Sequence, residues 1–194
     1  RLITDKIRLE GFRKPTPIQS QGIPCILSGR DIIGLAKTGS GKTATYVWPM
    51  IAHVMDQEEL KRGEGPIALI LTPTRELCIQ IQAVIKKYCS VFGVRSLAIH
   101  GGASKTEQFK SLKKGVDVVV AAPGRLLDLI QLKACNLNSV TYLVLDEADI
   151  MFNMGFEPQV RSIMGQIRPD RQTLMFSATF DPKIERLARD ALTT

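Results

Sequence analysis

The chain lacks the features of a membrane protein and of a zinc protein. None of its 194 residues belongs to an apolar run that approaches the ~20 residues a membrane helix needs, and no signal peptide is visible. Its 4 cysteines form no C-x-x-C pair, and neither of its 2 histidines lies near them in sequence, so zinc-ligand spacing is absent. We therefore expect reduced, mostly buried thiols, an intracellular location and no membrane partner.

Internal repeats, low-complexity segments and internal domain boundaries are also absent from the sequence. The length suits one α/β domain with a full hydrophobic core. Because the first residue is Arg1 rather than Met, we interpret the chain as a piece of a longer protein. The net charge of +7 is compatible with a phosphate-backbone partner, but the basic residues are dispersed, so a solvated charged surface explains it equally well.

Short apolar runs alternate with helix-length amphipathic stretches along the chain. The predicted strands are residues 31–35, 67–71, 96–99, 116–121, 142–145 and 173–176. The predicted helices are residues 41–55, 75–91, 104–113, 125–131, 157–167 and 182–190, and Asp181 and Ser104 are expected to cap two of them. Several strands are apolar on both faces, as buried parallel strands require. The alternation predicts an α/β fold, with a mostly parallel central sheet covered by helices on both faces.

The strongest local signal follows the first predicted strand and opens a predicted helix. It reads Ala36, Lys37, Thr38, Gly39, Ser40, Gly41, Lys42 and Thr43. That context is typical of a phosphate-binding P-loop, whose glycines let backbone N–H groups point at a triphosphate in front of a helix N-terminus. Lys42 can reach the β- and γ-phosphates, and the Thr43 hydroxyl can bind Mg²⁺. An ordinary glycine-rich turn is the alternative, since Ala36 stands where the strict pattern has glycine.

The second signal is an apolar run that ends in two adjacent carboxylates, Asp146 and Glu147. An acid at the end of a strand beside a P-loop can hold Mg²⁺ through water, which suits Asp146, and Glu147 suits positioning and deprotonating the attacking water. The alternative is the acidic start of a helix, which the helix dipole favours. Together the two signals predict nucleotide hydrolysis, with Lys42, Asp146 and Glu147 as the catalytic residues.

The string Asp146-Glu147-Ala148-Asp149 resembles the one that names the DEAD-box RNA helicases. Further motifs of that family follow in its order and spacing over essentially the whole chain: residues 11–19 resemble the Q motif, 73–77 motif Ia, 101–102 the paired glycines, 122–125 motif Ib and 177–179 motif III. The resemblance implies a RecA-like P-loop NTPase fold that uses ATP and Mg²⁺. It also implies that residues 1–194 are one RecA-like ATP-binding domain, whose second RecA-like domain lies outside this chain.

The resemblance assigns the base of ATP to the Q motif. Gln19 can pair its amide with both a donor and an acceptor on an adenine edge, and Phe12 can stack on the base, with Pro17 between them in the motif. From the local sequence alone, Thr16 to Gln19 is also a helix capping box with proline in the first turn. Gln19 can serve as the helix cap and as the adenine partner, one after the other.

The resemblance assigns RNA contacts to turns that follow predicted strands. These are Pro73, Thr74, Arg75, Gly101, Gly102, Pro123, Gly124 and Arg125. Backbone N–H, hydroxyl and guanidinium groups there can grip a sugar–phosphate chain without reading its bases. The alternative is that these residues form ordinary turns with a solvated arginine. Ala122 replaces the usual threonine of motif Ib, which removes one hydroxyl.

Asp149, Ser177, Ala178 and Thr179 are assigned by the resemblance to coupling, which links the nucleotide state to closure of the two domains. Hydroxyls satisfied within a strand-end turn are the alternative for this segment. Ile150 and Asn153 depart from the Arg and Asp that the family commonly has, and so remove charge near the nucleotide-side loops.

The resemblance predicts an ATP-dependent RNA helicase or RNA–protein remodelling ATPase. This part alone would bind Mg-ATP and part of the RNA backbone and be nearly inactive. Residues 36–38, 48–50 and 168–173 look most like nuclear members associated with the spliceosome, which implies a nuclear location, a role in pre-mRNA splicing and spliceosomal protein partners. A DNA translocase and a non-enzymatic clamp or docking surface are the alternative functions.

Overall fold

A six-stranded parallel sheet forms the centre of the computed structural model, which describes residues 1–192. Its strands are β1 (Ile32–Leu35), β2 (Ala68–Leu71), β3 (Ser96–Ile99), β4 (Val118–Ala121), β5 (Tyr142–Leu145) and β6 (Gln172–Ser177). They lie in the order β1-β6-β5-β2-β4-β3, and every neighbouring pair is parallel. The predicted fold class is confirmed, and each predicted strand lies within two residues of an observed one at both ends.

Helices connect the strands and cover both faces of the sheet. They are α1 (Leu2–Leu9), α2 (Pro17–Leu27), α3 (Lys42–Met55), α4 (Arg75–Cys89), α5 (Lys105–Lys114), α6 (Pro123–Gln131), α7 (Ala148–Asn153), α8 (Glu157–Met164) and α9 (Pro182–Ala191). All six predicted helices are present, and Asp181 and Ser104 accept N–H bonds from the first turns of α9 and α5 as predicted. Three more helices, α1, α2 and α7, were not among the helices that periodicity predicted.

The hydrophobic core divides into two clusters, one on each face of the sheet. In β2, Ala68 and Ile70 belong to the cluster with α2, α3 and α4, whereas Leu69 and Leu71 belong to the cluster with α6, α8 and α9. The same alternation holds in β4, β5 and β6, because successive side chains of a strand point to opposite faces. A strand buried on both faces must be apolar throughout, which is why these runs could be recognised in the sequence.

Parallel pairing brings the carboxyl ends of all six strands to one edge of the sheet. The turns after β1, β5 and β6 lie side by side, and we call them the β1–β6–β5 half of this edge. The turns after β2, β4 and β3 form the β2–β4–β3 half. The residues predicted as functional therefore fall into two adjacent groups, although they are scattered along the chain.

Two remaining expectations concern membranes and thiols. In the part of the chain that the structure describes, no helix is long and apolar enough to cross a membrane. All four cysteines are free: Cys78 and Cys89 are buried, Cys135 is partly buried and Cys25 is exposed. Burial raises the pKa of the Cys78 and Cys89 thiols to about 12 and that of Cys135 to about 11, so these three are weak nucleophiles at neutral pH.

Candidate functional site

The loop after β1 keeps a conformation that only glycine allows at one position. Gly41 has φ +86°, and a Cβ added there would lie 2.7 Å from Gln19 Nε2 and 2.9 Å from Thr16 Oγ1. Gly41 is also the N-cap of α3, and within the described residues no side chain caps this helix. The first N–H groups of α3 are therefore left for an anion, as a P-loop requires.

A buried lysine joins this loop to the two carboxylates after β5. Lys42 is 7% exposed, and its Nζ lies 2.9 Å from Asp146 Oδ1 and 3.2 Å from Glu147 Oε1. Thr38 Oγ1 donates to the same Glu147 oxygen at 3.2 Å, and Tyr46 OH donates to Asp146 Oδ2 at 2.8 Å. Residues 100 or more positions apart thus form one largely buried polar cluster, which a generic glycine-rich turn would not produce.

The two carboxylates differ in how the fold holds them. Burial, the largest influence, raises the pKa of Asp146, and the opposing effects of Lys42 and of the Tyr46 hydrogen bond lower it. Glu147 is the N-cap of α7 and has φ +53°, a left-handed conformation that is uncommon for a residue with a side chain. Strained residues of this kind concentrate at functional sites.

The donor set fits Mg²⁺ bound together with a phosphate ligand. Asp146 and the hydroxyl of Thr43 supply oxygen atoms, the donors that Mg²⁺ prefers. Among residues 1–192 no group of three or more His, Cys, Asp and Glu side chains could hold a metal ion unaided. A Mg²⁺ site of the proposed kind needs only one or two carboxylates, because the ion keeps several waters and is also bound by substrate phosphates.

Gln19 connects the Q-motif helix to the P-loop. It is 2% exposed; its Oε1 accepts the Thr16 N–H at 3.0 Å, and its Nε2 donates to Gly41 O at 3.1 Å. The capping interpretation is therefore correct, and the same amide also fixes the loop. One N–H and one lone pair remain for an adenine edge. Phe12 is 42% exposed and packs edge-on against Trp48, so its stacking on a base stays a prediction.

The β2–β4–β3 half of the edge is more open. Thr74 caps α4 by accepting the Leu77 N–H at 3.2 Å, and Arg75 is the exposed first residue of that helix. Gly102, which follows β3, has φ +85°, and a Cβ there would lie 2.7 Å from Arg75 Nη1. The guanidinium group thus lies against Gly102, although β4 lies between β2 and β3 in the sheet.

The comparisons with known proteins decide the family. The model of the DEAD/DEAH box helicase family matches residues 16–187. The chain belongs to this family. It is 60% identical to mouse ATP-dependent RNA helicase DDX42 over 187 residues, 96% of this chain and 20% of that protein. It is also 60% identical over 190 residues to DEAD-box ATP-dependent RNA helicase 24 of Arabidopsis thaliana, 98% of this chain and 25% of that protein.

Solved structures of the helicase family share the fold. A DEAD box protein from Methanococcus jannaschii has a TM-score of 0.88 and 41% identity, covering 98% of this chain and 51% of that one. A hypothetical ATP-dependent RNA helicase from Sulfolobus tokodaii has a TM-score of 0.89 and 35% identity, covering 100% of this chain and 55% of that one. The chain thus spans a fifth to a quarter of the curated relatives cited above and about half of these two structures.

Arg125, which follows β4, has a side-chain partner on α5 that the sequence did not reveal. Arg125 Nη1 donates to Ala103 O at 3.1 Å and to Gln108 Oε1 at 3.4 Å. Gln108 is buried, and its Nε2 donates to His100 O at 3.1 Å. Gln108 therefore holds Arg125 against the loop that contains the paired glycines. The signal that could have found it is a glutamine on the inward face of α5.

The structure separates the helicase motif residues by exposure. Gly101, Gly102 and Gly124 are exposed, Thr74 and Arg125 are partly exposed, and Arg75 is exposed. Pro73 and Pro123 are buried, so their rings shape the turns and do not face a polynucleotide. RNA binding by all eight positions stays a prediction.

The motif III turn after β6 contacts the DEAD string. Thr179 Oγ1 lies 3.5 Å from Asp149 Oδ2, and the Thr179 N–H donates to Ser177 Oγ at 3.4 Å. Ser177 is buried, whereas Ala178 and Thr179 are exposed. The hydroxyl of Ser177 is satisfied within its own turn, as the alternative interpretation held, while Thr179 reaches the other motif. Coupling through these residues stays a prediction.

Proposed function

We propose that this chain is the ATP-binding RecA-like lobe of an ATP-dependent RNA helicase or RNA–protein remodelling ATPase. The observation that carries the proposal is the buried cluster in which Lys42 lies between Asp146 and Glu147 at the uncapped start of α3. A cation enclosed by two carboxylates in a low-dielectric site is positioned to move onto an incoming triphosphate. The family membership supports ATP as the nucleotide and RNA as the polymer.

In this proposal the residues of the β1–β6–β5 half bind Mg-ATP. Backbone N–H groups of residues 39–43 and the Lys42 ammonium hold the phosphates, and Thr43 and Asp146 hold Mg²⁺, with Asp146 acting through water. When bound, Mg²⁺ neutralises charge on the β- and γ-phosphates. Lys42 leaves Glu147 as it turns to the phosphates, and Glu147 then positions the attacking water and accepts its proton.

The β2–β4–β3 half is proposed to hold the RNA backbone. Arg75 and Arg125 supply guanidinium groups, and Gly101, Gly102 and Gly124 expose backbone N–H groups beside them. These groups recognise phosphate and sugar oxygens, so binding should be independent of base sequence and should weaken as salt rises. The two sites lie on one edge of one sheet, which allows ATP and RNA to be bound together.

Activity is proposed to require a second RecA-like domain of the same protein. Such a domain would close over this edge of the sheet and bring an arginine to the phosphates, a contribution of about 10³–10⁵ in rate for related phosphoryl transfers. The contact of Thr179 with Asp149 supports a route from the nucleotide to that closure. The chain alone is expected to bind nucleotide and to be nearly inactive.

A nuclear role in pre-mRNA splicing, with spliceosomal proteins as partners, is a further part of the proposal. It is supported by residues 36–38, 48–50 and 168–173, which resemble those of splicing-associated family members. Affinity purification of the full-length protein from nuclear extract, followed by sequencing of bound RNA, tests this part. Recovery of cytoplasmic messenger RNA without small nuclear RNA would contradict it.

The function is tested first by nucleotide binding to this chain. Calorimetry with Mg-ATP, Mg-ADP and Mg-GTP should show a preference for adenine nucleotides that Gln19→Ala removes. Gln21→Ala is the matched control, since Gln21 is exposed on the same helix. Because Gln19 also fixes Gly41, the loss of the Gln19 side chain should weaken the binding of all three nucleotides. The ratio of the ATP and GTP affinities is therefore the informative quantity. An unchanged ratio would leave Gln19 as a structural cap.

A second measurement separates RNA from DNA as the polymer. The ATPase rate of the full-length protein should rise with single-stranded RNA and much less with DNA of the same sequence. Glu147→Gln should abolish the stimulated rate, because the base that accepts the water proton is lost. A wild-type rate no faster than that of Glu147→Gln would favour a nucleotide-dependent clamp.

A further inference from the structure

Asp146 is held at both of its oxygens, and one of the two partners is a tyrosine. Oδ1 faces Lys42 Nζ at 2.9 Å, and Oδ2 accepts the hydroxyl of Tyr46 at 2.8 Å. Tyr46 lies one turn after Lys42 on α3 and is 0% exposed. Among the residues that the structure describes, Lys42 forms an ion pair with this carboxylate and Tyr46 donates a hydrogen bond to it.

We propose that Tyr46 is a positioning residue that fixes Asp146 in the orientation needed to hold the divalent cation of the bound nucleotide. The inference rests on the proposed function, because it assigns a partner to the carboxylate of that site. Tyr46 would not touch the cation or the nucleotide. It would act only through Asp146 Oδ2, leaving Oδ1 directed at the site.

Lys42 and Tyr46, the two partners of Asp146, are not equivalent once a nucleotide binds. Lys42 must leave Asp146 to reach the phosphates, so its ion pair is lost at that moment. Tyr46 can stay, because its ring is fixed between elements that do not belong to the loop. The Tyr46 ring packs against Phe176 of β6 with centroids 5.4 Å apart. The backbone carbonyl of Tyr46 accepts a hydrogen bond from the Tyr142 hydroxyl of β5 at 2.8 Å.

The hydroxyl of Tyr46 is placed near both residues that would hold the cation. It donates to Asp146 Oδ2 at 2.8 Å, and Thr43 lies three residues earlier on the same helix, less than one turn away. A tyrosine hydroxyl that donates to a carboxylate is a neutral donor. A neutral donor orients a carboxylate without competing with the cation for its charge, as outer-shell partners of metal sites do.

The chain offers a closely matched control in Tyr142. Its hydroxyl is also buried and also makes a 2.8 Å hydrogen bond, but to the Tyr46 carbonyl and not to Asp146. Tyr46→Phe and Tyr142→Phe each remove one oxygen atom from neighbouring rings of the same core cluster. A general loss of packing or stability would affect both variants alike, whereas loss of carboxylate orientation would affect Tyr46→Phe alone.

The test is the contribution of Mg²⁺ to ADP binding, measured by calorimetry on this chain. The ratio of the ADP dissociation constants in EDTA and in Mg²⁺ gives this contribution without any catalytic turnover. Tyr46→Phe should lower the ratio by about tenfold, the scale seen when an outer-shell partner is removed. Tyr142→Phe should leave the ratio within about twofold of wild type. Thermal unfolding of both variants reports their folding in parallel.

A third variant tests whether Tyr46 acts through Asp146. Asp146→Asn removes the buried charge, so Tyr46→Phe should have no further effect on the Mg²⁺ ratio in that background. An unchanged ratio in Tyr46→Phe, an equal fall in both phenylalanine variants, or a further fall on the Asp146→Asn background would each overturn the inference. A wild-type chain whose ADP affinity does not depend on Mg²⁺ would instead overturn the proposed nucleotide site itself.

Discussion

The two halves of the sheet edge start from the same geometry and end with opposite properties. In both, short parallel strands end in turns that lead into helices. In the β1–β6–β5 half the charged side chains of Lys42, Asp146 and Glu147 are buried and paired with one another. In the β2–β4–β3 half the turns after the strands carry exposed Arg75, partly exposed Arg125 and three exposed glycines. Strand topology therefore fixes where ligands can bind, and the residues in the turns determine which kind of ligand each half can bind.

The difference matches the two proposed ligands. A transferring phosphoryl group develops charge in one small region, so fixed charges in a site that excludes water stabilise it most strongly. A polynucleotide carries its charge along a line, so an open surface with exposed guanidinium groups and exposed backbone serves it better. We expect substitutions in the first half to change stability and binding together. Those in the second should change binding with smaller effects on the fold.

The largest effect is expected from Lys42→Met, which removes the cation between two buried carboxylates. Breaking a buried ion pair by removing one partner costs about 3–5 kcal/mol, so the free energy of unfolding in urea should fall on that scale and nucleotide binding should be lost. Without Lys42, burial raises the pKa of Asp146 further. The folded state then binds more protons than the unfolded state, so the variant should regain stability as the pH falls from neutral toward the ordinary carboxyl range.

Two further variants separate this explanation from a general effect of losing a lysine. Lys110→Met, at an exposed position of α5, should change the free energy of unfolding by less than about 0.5 kcal/mol. Adding Glu147→Gln to Lys42→Met should restore part of the lost stability, because one uncompensated charge is removed. If the double variant is no more stable than Lys42→Met alone, the carboxylates are not the source of the loss.

A smaller effect is expected in the other half from Gly102→Ala. The left-handed φ costs a residue with a Cβ about 1–2 kcal/mol, and the added carbon would displace the Arg75 guanidinium group that lies 2.7 Å away. RNA affinity should fall, and the slope of log affinity against log salt should shrink by about one, as for the loss of one phosphate contact. Fluorescence anisotropy with a labelled single-stranded RNA over a salt series measures both quantities.

Gly101→Ala is the matched control for this prediction. The neighbouring glycine has no left-handed φ, and nothing lies within 4 Å of a Cβ added there. Its substitution should leave both the free energy of unfolding and the salt slope near the wild-type values. Equal losses in the two variants would mean that the turn binds RNA through backbone shape alone and that Arg75 makes no phosphate contact.

The sequence predicted helices and strands better than it predicted which side chains contact one another. Fully apolar runs such as residues 67–71 identified strands, because a parallel strand buried on both faces has few polar positions. α1 escaped because no side chain caps it and none of its residues is fully buried, and α7 because its six residues span under two turns. Periodicity also passed over α2, although the cap at Thr16 and Gln19 was visible.

Long-range partners could not be predicted for a physical reason. The pairing of Lys42 with Asp146 and Glu147, and the bond from Tyr46 to Asp146, join residues about 100 positions apart. Local patterns report which backbone an element adopts, but such distances are set by how the elements pack. The sequence assigned Lys42 to phosphates, and the structure shows that it pairs with Asp146 and Glu147. Gln108 was missed for the same reason.

The smallest effect is expected in the β2–β4–β3 half from Ala122→Thr, which tests whether a capping hydroxyl on α6 adds stability. Ala122 is the N-cap of α6 with φ −79° and ψ 136°, the extended conformation in which a hydroxyl can accept N–H groups of the first turn. Pro123 at the first helical position does not interfere, because a capping side chain bonds to the second or third N–H.

Thermal unfolding should show a gain of about 1 kcal/mol for threonine, while Ala122→Val, which has the same shape without the hydroxyl, should show none. Tighter RNA binding by the threonine variant, without that gain in stability, would mean that the hydroxyl faces the polynucleotide and that the uncapped start of α6 is part of the RNA site.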